Sequence, residues 1–288
     1  MIPFWKLSGG GNDFIALAEP PAEALSEQRI RRWCRRGLSV GADGVFTIHR
    51  QGGDGVRMRH FNPDGGRAAL CLNGTRCAAR LAFHLGWATG RTRLLTDAGA
   101  VEAEDCPARG VRLQLPPPAD PPRAVALGAG GRTYEGWWIR VGVPHLVFLW
   151  EEGLAQAPVA EVGRQLVHHP QLDREGANVN FVFLPRAGSL EIRTYERGVY
   201  GETLACGTGV LSSAFVLASA GRTSFPLEVL TAGGFVLRVG GRWSAGHLES
   251  WTLAGDARLV AEGNLTPGAE ELPSAPAWTA GPLKITAI

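Results

Sequence analysis

Lysine is nearly missing from this chain, which has it only at Lys6 and Lys284, close to its two ends. A pyridoxal-phosphate enzyme holds its cofactor through a Schiff-base lysine. Neither residue lies beside a phosphate-cradling loop, so no cofactor of that kind is expected. Long apolar runs are also missing, and nothing approaches the ~18–20 residues of a membrane span. The N-terminal stretch MIPFWKLSGGGNDF lacks the charged region and apolar core of a signal peptide. A cytoplasmic protein with no membrane partner is the expectation. No Cys-x-x-Cys and no His-x-x-x-His occurs, and the adjacent His168 and His169 project in different directions. A structural metal is therefore not expected. The five cysteines, Cys34, Cys71, Cys77, Cys106 and Cys206, are odd in number and widely spaced, which argues against a disulfide framework. Charge of both signs is interspersed, for a net of +2. The one dense basic run, RIRRWCRRG (29–37), reads as a solvated arginine face on a helix. Without aromatic-basic interleaving or zinc-finger spacing, no nucleic-acid partner is expected.

What is present is a repeat. The stretch VRMRHFNPDGGRAALCLNGTRCAARLAFHLG (56–86) parallels LEIRTYERGVYGETLACGTGVLSSAFVLASAG (190–221). Each starts as an alternating strand, passes through a glycine-rich turn to a cysteine and a second turn, and ends as a helix closing at Gly86 or Gly221. The offset is 134 residues at Phe61/Tyr195 and 135 at Cys71/Cys206, with the change near Tyr200. Upstream, GADGVFTIH (41–49) matches ANVNFVFL (177–184), and GNDFIALA (11–18) matches GVPHLVFL (142–149). Four blocks in one order imply two similar halves, residues 1–117 and 118–256, joined through the Pro-rich LPPPADPPRA (115–124). A C-terminal strand near 257–265 is expected to join the first half, and 266–288 form an extension of unassigned role. Strands are short and rich in Val, Phe, Leu and Ile. The helices expected at 75–85 and 209–220 are apolar nearly all round, as a buried helix must be. The fold class is α+β: two pseudo-symmetric halves, each a barrel-like mixed and antiparallel sheet wrapped round a central helix, with the site in the cleft between them.

Cys71 and Cys206 each stand at the N-terminal end of one such helix. Unpaired N–H groups and the macrodipole favour negative charge there, and a thiol pKa is expected to fall. The same N–H groups, in the Asn73-Gly74 and Gly207-Thr208-Gly209 turns, can hold a carboxylate. If the halves face each other, one thiolate can remove an α-proton and the other thiol can return one to the opposite face. Taken singly, a buried cysteine is more often a small hydrophobe. Cys34, Cys77 and Cys106 take that role, with Cys77 about one and a half turns past Cys71 and pointing elsewhere.

The stretches GGGNDFIAL (9–17), GADGV (41–45), FNPDGGRAALCLNGTRCAARL (61–81), GVPHLV (142–147), NVNFV (178–182) and YERGVYGETLACGTG (195–209) resemble the diaminopimelate epimerases. That family converts LL-diaminopimelate to the meso form without a cofactor, supplying lysine and a cell-wall cross-linker, on a fold of two similar halves. The resemblance implies that Cys71 and Cys206 are the acid/base pair. Leu72, Asn73, Gly207 and Thr208 would hold the α-carboxylate through backbone N–H groups. Asn12, Asn62, Asn178, Glu196 and Arg197 would line the rest of the substrate pocket, with Arg197 pairing the distal carboxylate. His145 would tune the cysteines, and family dimers imply a homodimer. Read alone, each Asn is also an ordinary turn residue, and His145 a satisfied histidine after Val143-Pro144.

Four positions depart from the family pattern. Leu72 replaces a glycine, Val143 replaces an asparagine of the distal pocket, Gly44 stands where many members have a polar side chain, and Tyr200 is an extra residue beside the presumed distal pocket. Two alternatives therefore stand beside diaminopimelate epimerisation: the same chemistry on another amino acid, and a non-catalytic or redox-sensing amino-acid-binding protein in which the two thiols close a disulfide.

Overall fold

The computed structural model describes residues 1–244 and 247–271. The first half runs β1 (Ile2–Gly9), β2 (Asn12–Ala18), helix α1 (Glu27–Trp33), β3 (Gly44–Arg50), β4 (Gly55–Phe61) and the two-residue β5 (Arg67–Ala68). Helix α2 (Leu72–His84) follows, then β6 (Arg91–Thr96), β7 (Gly99–Cys106) and β8 (Gly110–Leu115). Beyond the Pro-rich link come β9 (Arg123–Ala129), β10 (Arg132–Val141), β11 (Val143–Leu149), α3 (Val159–Leu166), β12 (Asn178–Arg186), β13 (Ser189–Glu196) and β14 (Gly201–Thr203). The chain continues as α4 (Gly207–Ser219), β15 (Leu227–Thr231), β16 (Val236–Ser244), β17 (His247–Gly255) and β18 (Arg258–Leu265).

The repeat in the sequence is a repeat in the ladder. β1–β2 is antiparallel, β2–β3 parallel, β3–β4 antiparallel, β4–β6 parallel, and β6–β7–β8 a meander. From β10–β11 to β15–β16–β17 the second half takes the same steps. Register repeats as well: Val45 faces Phe61, and Val179 faces Tyr195. Parallel neighbours need a long crossover, and α1, α2, α3 and α4 occupy those crossovers.

Two pairings depart from chain order, β18 with β1 and β8 with β17. β9 pairs with β10, whereas its counterpart β18 lies at the far end of the chain and pairs with β1. The equivalent strands β8 and β17 pair antiparallel, with Leu113 opposite Leu253. A twofold axis between the halves demands that arrangement, and it joins both into one continuous sheet.

Each half wraps its central helix. α2 contacts β1 to β4, β6 to β8 and β18, and α4 packs on β10 to β13 and β16. One apolar core runs through both halves, from Leu7 and Phe46 to Leu211, Phe215 and Trp251. Surrounded by sheet, α4 has no use for a polar face, and GTGVLSSAFVLAS carries no charge. Burying a side chain such as Leu211 or Phe215 contributes ~1.5–3 kcal/mol. The central helices begin earlier than the 75 and 209 expected from sequence, because Cys71 and Cys206 are their N-caps, with extended backbone at φ −133° and −116°. Both end where expected, at Gly86 and Gly221, whose φ of +67° and +68° is the left-handed stop that glycine supplies.

The basic run is less solvated than its pattern suggests. Arg29 pairs with Glu270, and Arg36 with both Asp13 and Asp43. Residues 266–271 of the extension dock near α1, where Ser39 Oγ donates to the Ala269 carbonyl at 2.9 Å; residues 272–288, Lys284 included, lie outside the described residues. Lys6 is ion-paired with Asp13 at 2.6 Å. Among the described residues, no helix is long and apolar enough to cross a membrane.

Candidate active site

A cavity of about 430 Å³ opens where the N-termini of α2 and α4 meet. The Cys71 thiol accepts the Gly74 N–H at 3.4 Å. The Cys206 thiol lies 3.5 Å from Thr208 Oγ1 and 4.0 Å from Asn178 Nδ2. The two helix ends touch: a Cβ placed on Gly207 would stand 3.0 Å from Leu72 Cβ. Leu72 thus occupies the room left by the bare glycine opposite. Its backbone carries no strain, since the only non-glycine residues with positive φ among those described are Glu19 and Tyr200.

The cavity is lined by Cys71 and Cys206 together with Asn12, Asn62, Leu72, Asn73, Asn178, Glu196, Arg197, Gly207 and Thr208. His145 is not in the lining. It is fully buried behind it, with Nδ1 3.2 Å from Asn180 Nδ2 and no partner for Nε2. Burial, with the Arg197 charge, lowers its pKa to about 3. His145 is therefore a neutral support for Asn180 and is not positioned to carry protons in the cleft. Tyr200 is likewise outside the lining, against the expectation that it borders the distal pocket. The inserted residue adopts φ +54°, its carbonyl accepts from the Tyr195 hydroxyl at 2.8 Å, and its own hydroxyl lies 3.2 Å from His168 Nε2. The left-handed turn carries the extra residue outward. Val143 does line the cavity.

Hydrogen bonds set the polar groups in order. Buried Arg76 donates to Asn73 Oδ1 at 2.7 Å, Asn73 Nδ2 donates to Asn12 Oδ1 at 2.8 Å, and Asn12 Nδ2 donates to Asp43 Oδ2 at 3.1 Å. Asn73 also reaches across the cleft to the Ala205 carbonyl at 3.4 Å, beside the second cysteine. On the other wall, the Arg197 N–H donates to Asn178 Oδ1 at 2.9 Å, and its guanidinium pairs with Glu175 at 3.0 Å. Thr203 Oγ1 donates to Glu196 at 2.6 Å.

The cysteine pKa values move opposite to the direction expected from the helix ends. Burial pushes both thiols up; the Gly74 N–H opposes this at Cys71, and the nearby Glu196 carboxylate adds to it at Cys206. A helix terminus stabilises a thiolate by less than desolvation in the cleft removes. Both groups therefore favour the thiol form, and one of them must give its proton to solvent before it can act as a base. Alkylation of Cys71 and Cys206 by iodoacetamide is expected to be slow at pH 7–8 and still accelerating above pH ~10, where an ordinary thiol has levelled off. Peptide mapping by mass spectrometry across a pH series checks this, and a plateau at or below pH ~10 would contradict the raised values.

Phe14, Asp43 and His60 are among the lining residues that sequence reasoning passed over. The signal for His60 is the alternation on β4, where Val56, Met58 and His60 are the buried, inward set. Asp43 gave no such signal, because its role comes from contact with Asn12 and Arg36.

The architecture is that of two-half proteins already solved. A PhzF-family phenazine biosynthesis protein from Enterococcus faecalis superposes with a TM-score of 0.66 at 15% identity, covering 91% of this chain and 98% of that one. A hydroxyproline epimerase from Agrobacterium vitis, with trans-4-hydroxy-L-proline bound, gives 0.63 at 16% identity, covering 91% of each chain. These define the fold class. The family follows from sequence: the diaminopimelate epimerase profile matches residues 4–117 and 137–239, and the chain belongs to that family. It is 36% identical to the diaminopimelate epimerase of Aquifex aeolicus over 278 residues, covering 92% of this chain and 98% of that one. It is 34% identical to that of Archaeoglobus fulgidus over 251 residues, covering 82% and 88%.

Proposed function

We propose that the protein is a cofactor-independent epimerase that inverts one α-carbon of LL-diaminopimelate to give the meso form, a precursor of lysine and of the bacterial cell wall. The observation that carries this reading is the pair of cysteines at the N-cap positions of two helices that open on one cleft. The substrate α-carboxylate accepts N–H groups from the first turns of α2 and α4. One cysteine, as thiolate, takes the α-proton; the other, as thiol, returns a proton to the opposite face. Charge developing on the carboxylate is met by donors already aimed at it. The enzyme ends the turnover with the roles of its two sulfurs exchanged, so atoms and charges balance without another reactant. Glu196, whose carboxylate lies close to Cys206, and Arg197, on the same wall, supply a carboxylate and a guanidinium for the second ammonium and carboxylate of the substrate. Support also comes from the family, whose named relatives align with nearly the whole chain. The same reading takes the protein to be cytoplasmic and homodimeric, the latter checked by sedimentation.

The test is isotopic. Reduced protein is incubated in deuterated water with LL-diaminopimelate and, separately, a panel of single L-amino acids, and Cα deuterium is measured by mass spectrometry. Exchange with diaminopimelate is the expected result. Exchange confined to another amino acid would move the substrate elsewhere, and no exchange under reducing conditions would leave a binding protein.

A further inference from the structure

The internal symmetry of the fold exposes a place where the two halves differ. β2 Phe14 pairs with Gly44, and its equivalent in the second half, β11 His145, pairs with Asn178. Gly44 and Asn178 are therefore counterparts. Asn178 presents its amide to the cleft, 4.0 Å from the Cys206 sulfur. Gly44 presents nothing. The space its side chain would take is bounded by the Phe61 carbonyl and the imidazole of His60: a Cβ at position 44 would stand 2.7 Å from Phe61 O, 3.1 Å from His60 Cε1 and 3.4 Å from Nε2. The counterpart of His60 in the ladder is Thr194, which turns away to bond Asn180 at 2.9 Å. His60 thus takes, beside Cys71, the place that an amide takes beside Cys206.

The imidazole is 6% exposed and lines the cleft, edge-on to Phe14. Its Nδ1 is sealed and has no hydrogen-bond partner, facing Gly74, where a Cβ would lie 3.3 Å from it and 3.5 Å from the Cys71 sulfur. A neutral ring has one N–H. The tautomer with that proton on Nε2 leaves the sealed nitrogen as a lone pair and keeps the donor where a partner can reach it. Burial lowers the His60 pKa to about 4, so the ring is uncharged at working pH. Two other side-chain donors on this wall are already engaged: Asn73 Nδ2 is held by Asn12, and Asn12 Nδ2 by Asp43.

We propose that His60 is a substrate-contacting specificity residue, whose Nε2–H donates to a carboxylate oxygen of the amino acid bound between Cys71 and Cys206, in place of the side chain that Gly44 lacks. The inference rests on the epimerase reading above. A buried donor matched to a substrate acceptor discriminates strongly, because a substrate lacking the acceptor leaves the donor unpaired.

Wild type, His60→Leu, His60→Gln and His60→Asn are compared for thermal midpoint and for kcat and KM with LL-diaminopimelate. Gln reaches about as far as Nε2; Asn reaches about as far as Nδ1. The expected result is at least a tenfold loss of kcat/KM in H60L, mostly through KM, with H60Q within about threefold of wild type and H60N as poor as H60L. An H60L enzyme that works like wild type, or H60Q and H60N that behave alike, would overturn the assignment. Should H60L fold poorly, the Gln–Asn contrast alone decides. A wild type that exchanges no amino acid in deuterated water sinks the epimerase reading, and this inference with it; an active wild type with an indifferent position 60 sinks this inference alone.

Discussion

Cys71→Ala and Cys206→Ala are each expected to abolish epimerisation, with losses on the order of a thousandfold or more. Inversion needs a proton taken from one face and another given to the opposite face, so neither sulfur can cover for its partner. The double variant should be no worse than either single one, since the pair works as a unit. Folding should survive. Loss of the Cys71 cap removes one weak bond, to the Gly74 N–H at 3.4 Å, worth on the order of 1 kcal/mol. Cys77→Ala is the control: that sulfur is fully buried against the Gly9 backbone, away from the cleft, and turnover should persist despite some loss of stability. Turnover by purified variants, with thermal midpoints measured in parallel, decides the matter. Near-normal inversion by either active-site variant would refute the two-thiol mechanism.

Gly209→Ala is expected to be far more damaging than Gly74→Ala, although the two glycines are equivalent in the repeat. In an ordinary helix, alanine is better than glycine by ~1 kcal/mol. At position 209 the new Cβ would stand 2.4 Å from Asn180 Oδ1 and 3.4 Å from the Cys206 sulfur. Asn180 cannot yield easily. It is fully buried and held by Thr194 at 2.9 Å, the Leu146 carbonyl at 2.7 Å and His145 at 3.2 Å. At position 74 the nearest atoms are His60 Nδ1 at 3.3 Å, Met58 Cε at 3.4 Å and the Cys71 sulfur at 3.5 Å, contacts that small shifts relieve. Gly209→Ala should lose roughly 2–3 kcal/mol of stability through overpacking and at least about a hundredfold in kcat/KM through displacement of Cys206. Gly74→Ala should stay within about 1 kcal/mol of wild type. Urea midpoints and steady-state kinetics of both proteins check the contrast, and equal effects would mean that Asn180 gives way.

Much of this protein is legible in one dimension. Two copies of strand, turn, cysteine and apolar helix, offset by 134–135 residues, are enough to imply two halves round two buried helices, because a chargeless helix such as α4 cannot face water. The glycine stops at Gly86 and Gly221 were equally plain, since the left-handed turn they require is local. The pairing of Cys71 with Cys206 followed from the same symmetry.

What local pattern could not settle was decided by depth and by neighbours from distant parts of the chain. A helix N-terminus is visible in sequence and argues for low thiol pKa values; desolvation is a property of the folded cleft, and it reverses the direction. His145 carried a family role into the cleft on paper, but the fold of β11 against β12 seals it behind Asn180. Tyr200 looked like a change in the pocket, yet one left-handed residue turns it outward. The converse holds for His60, which drew no notice in sequence and fills the space beside Gly44 only because β3 and β4 are paired. Sequence alone determined the repeated halves, the buried helices and the cysteine pair, because these depend on period, composition and local turns. Tertiary structure alone decided which polar groups reach the cleft and what charge they hold there, because burial and packing are set by residues far apart in the chain.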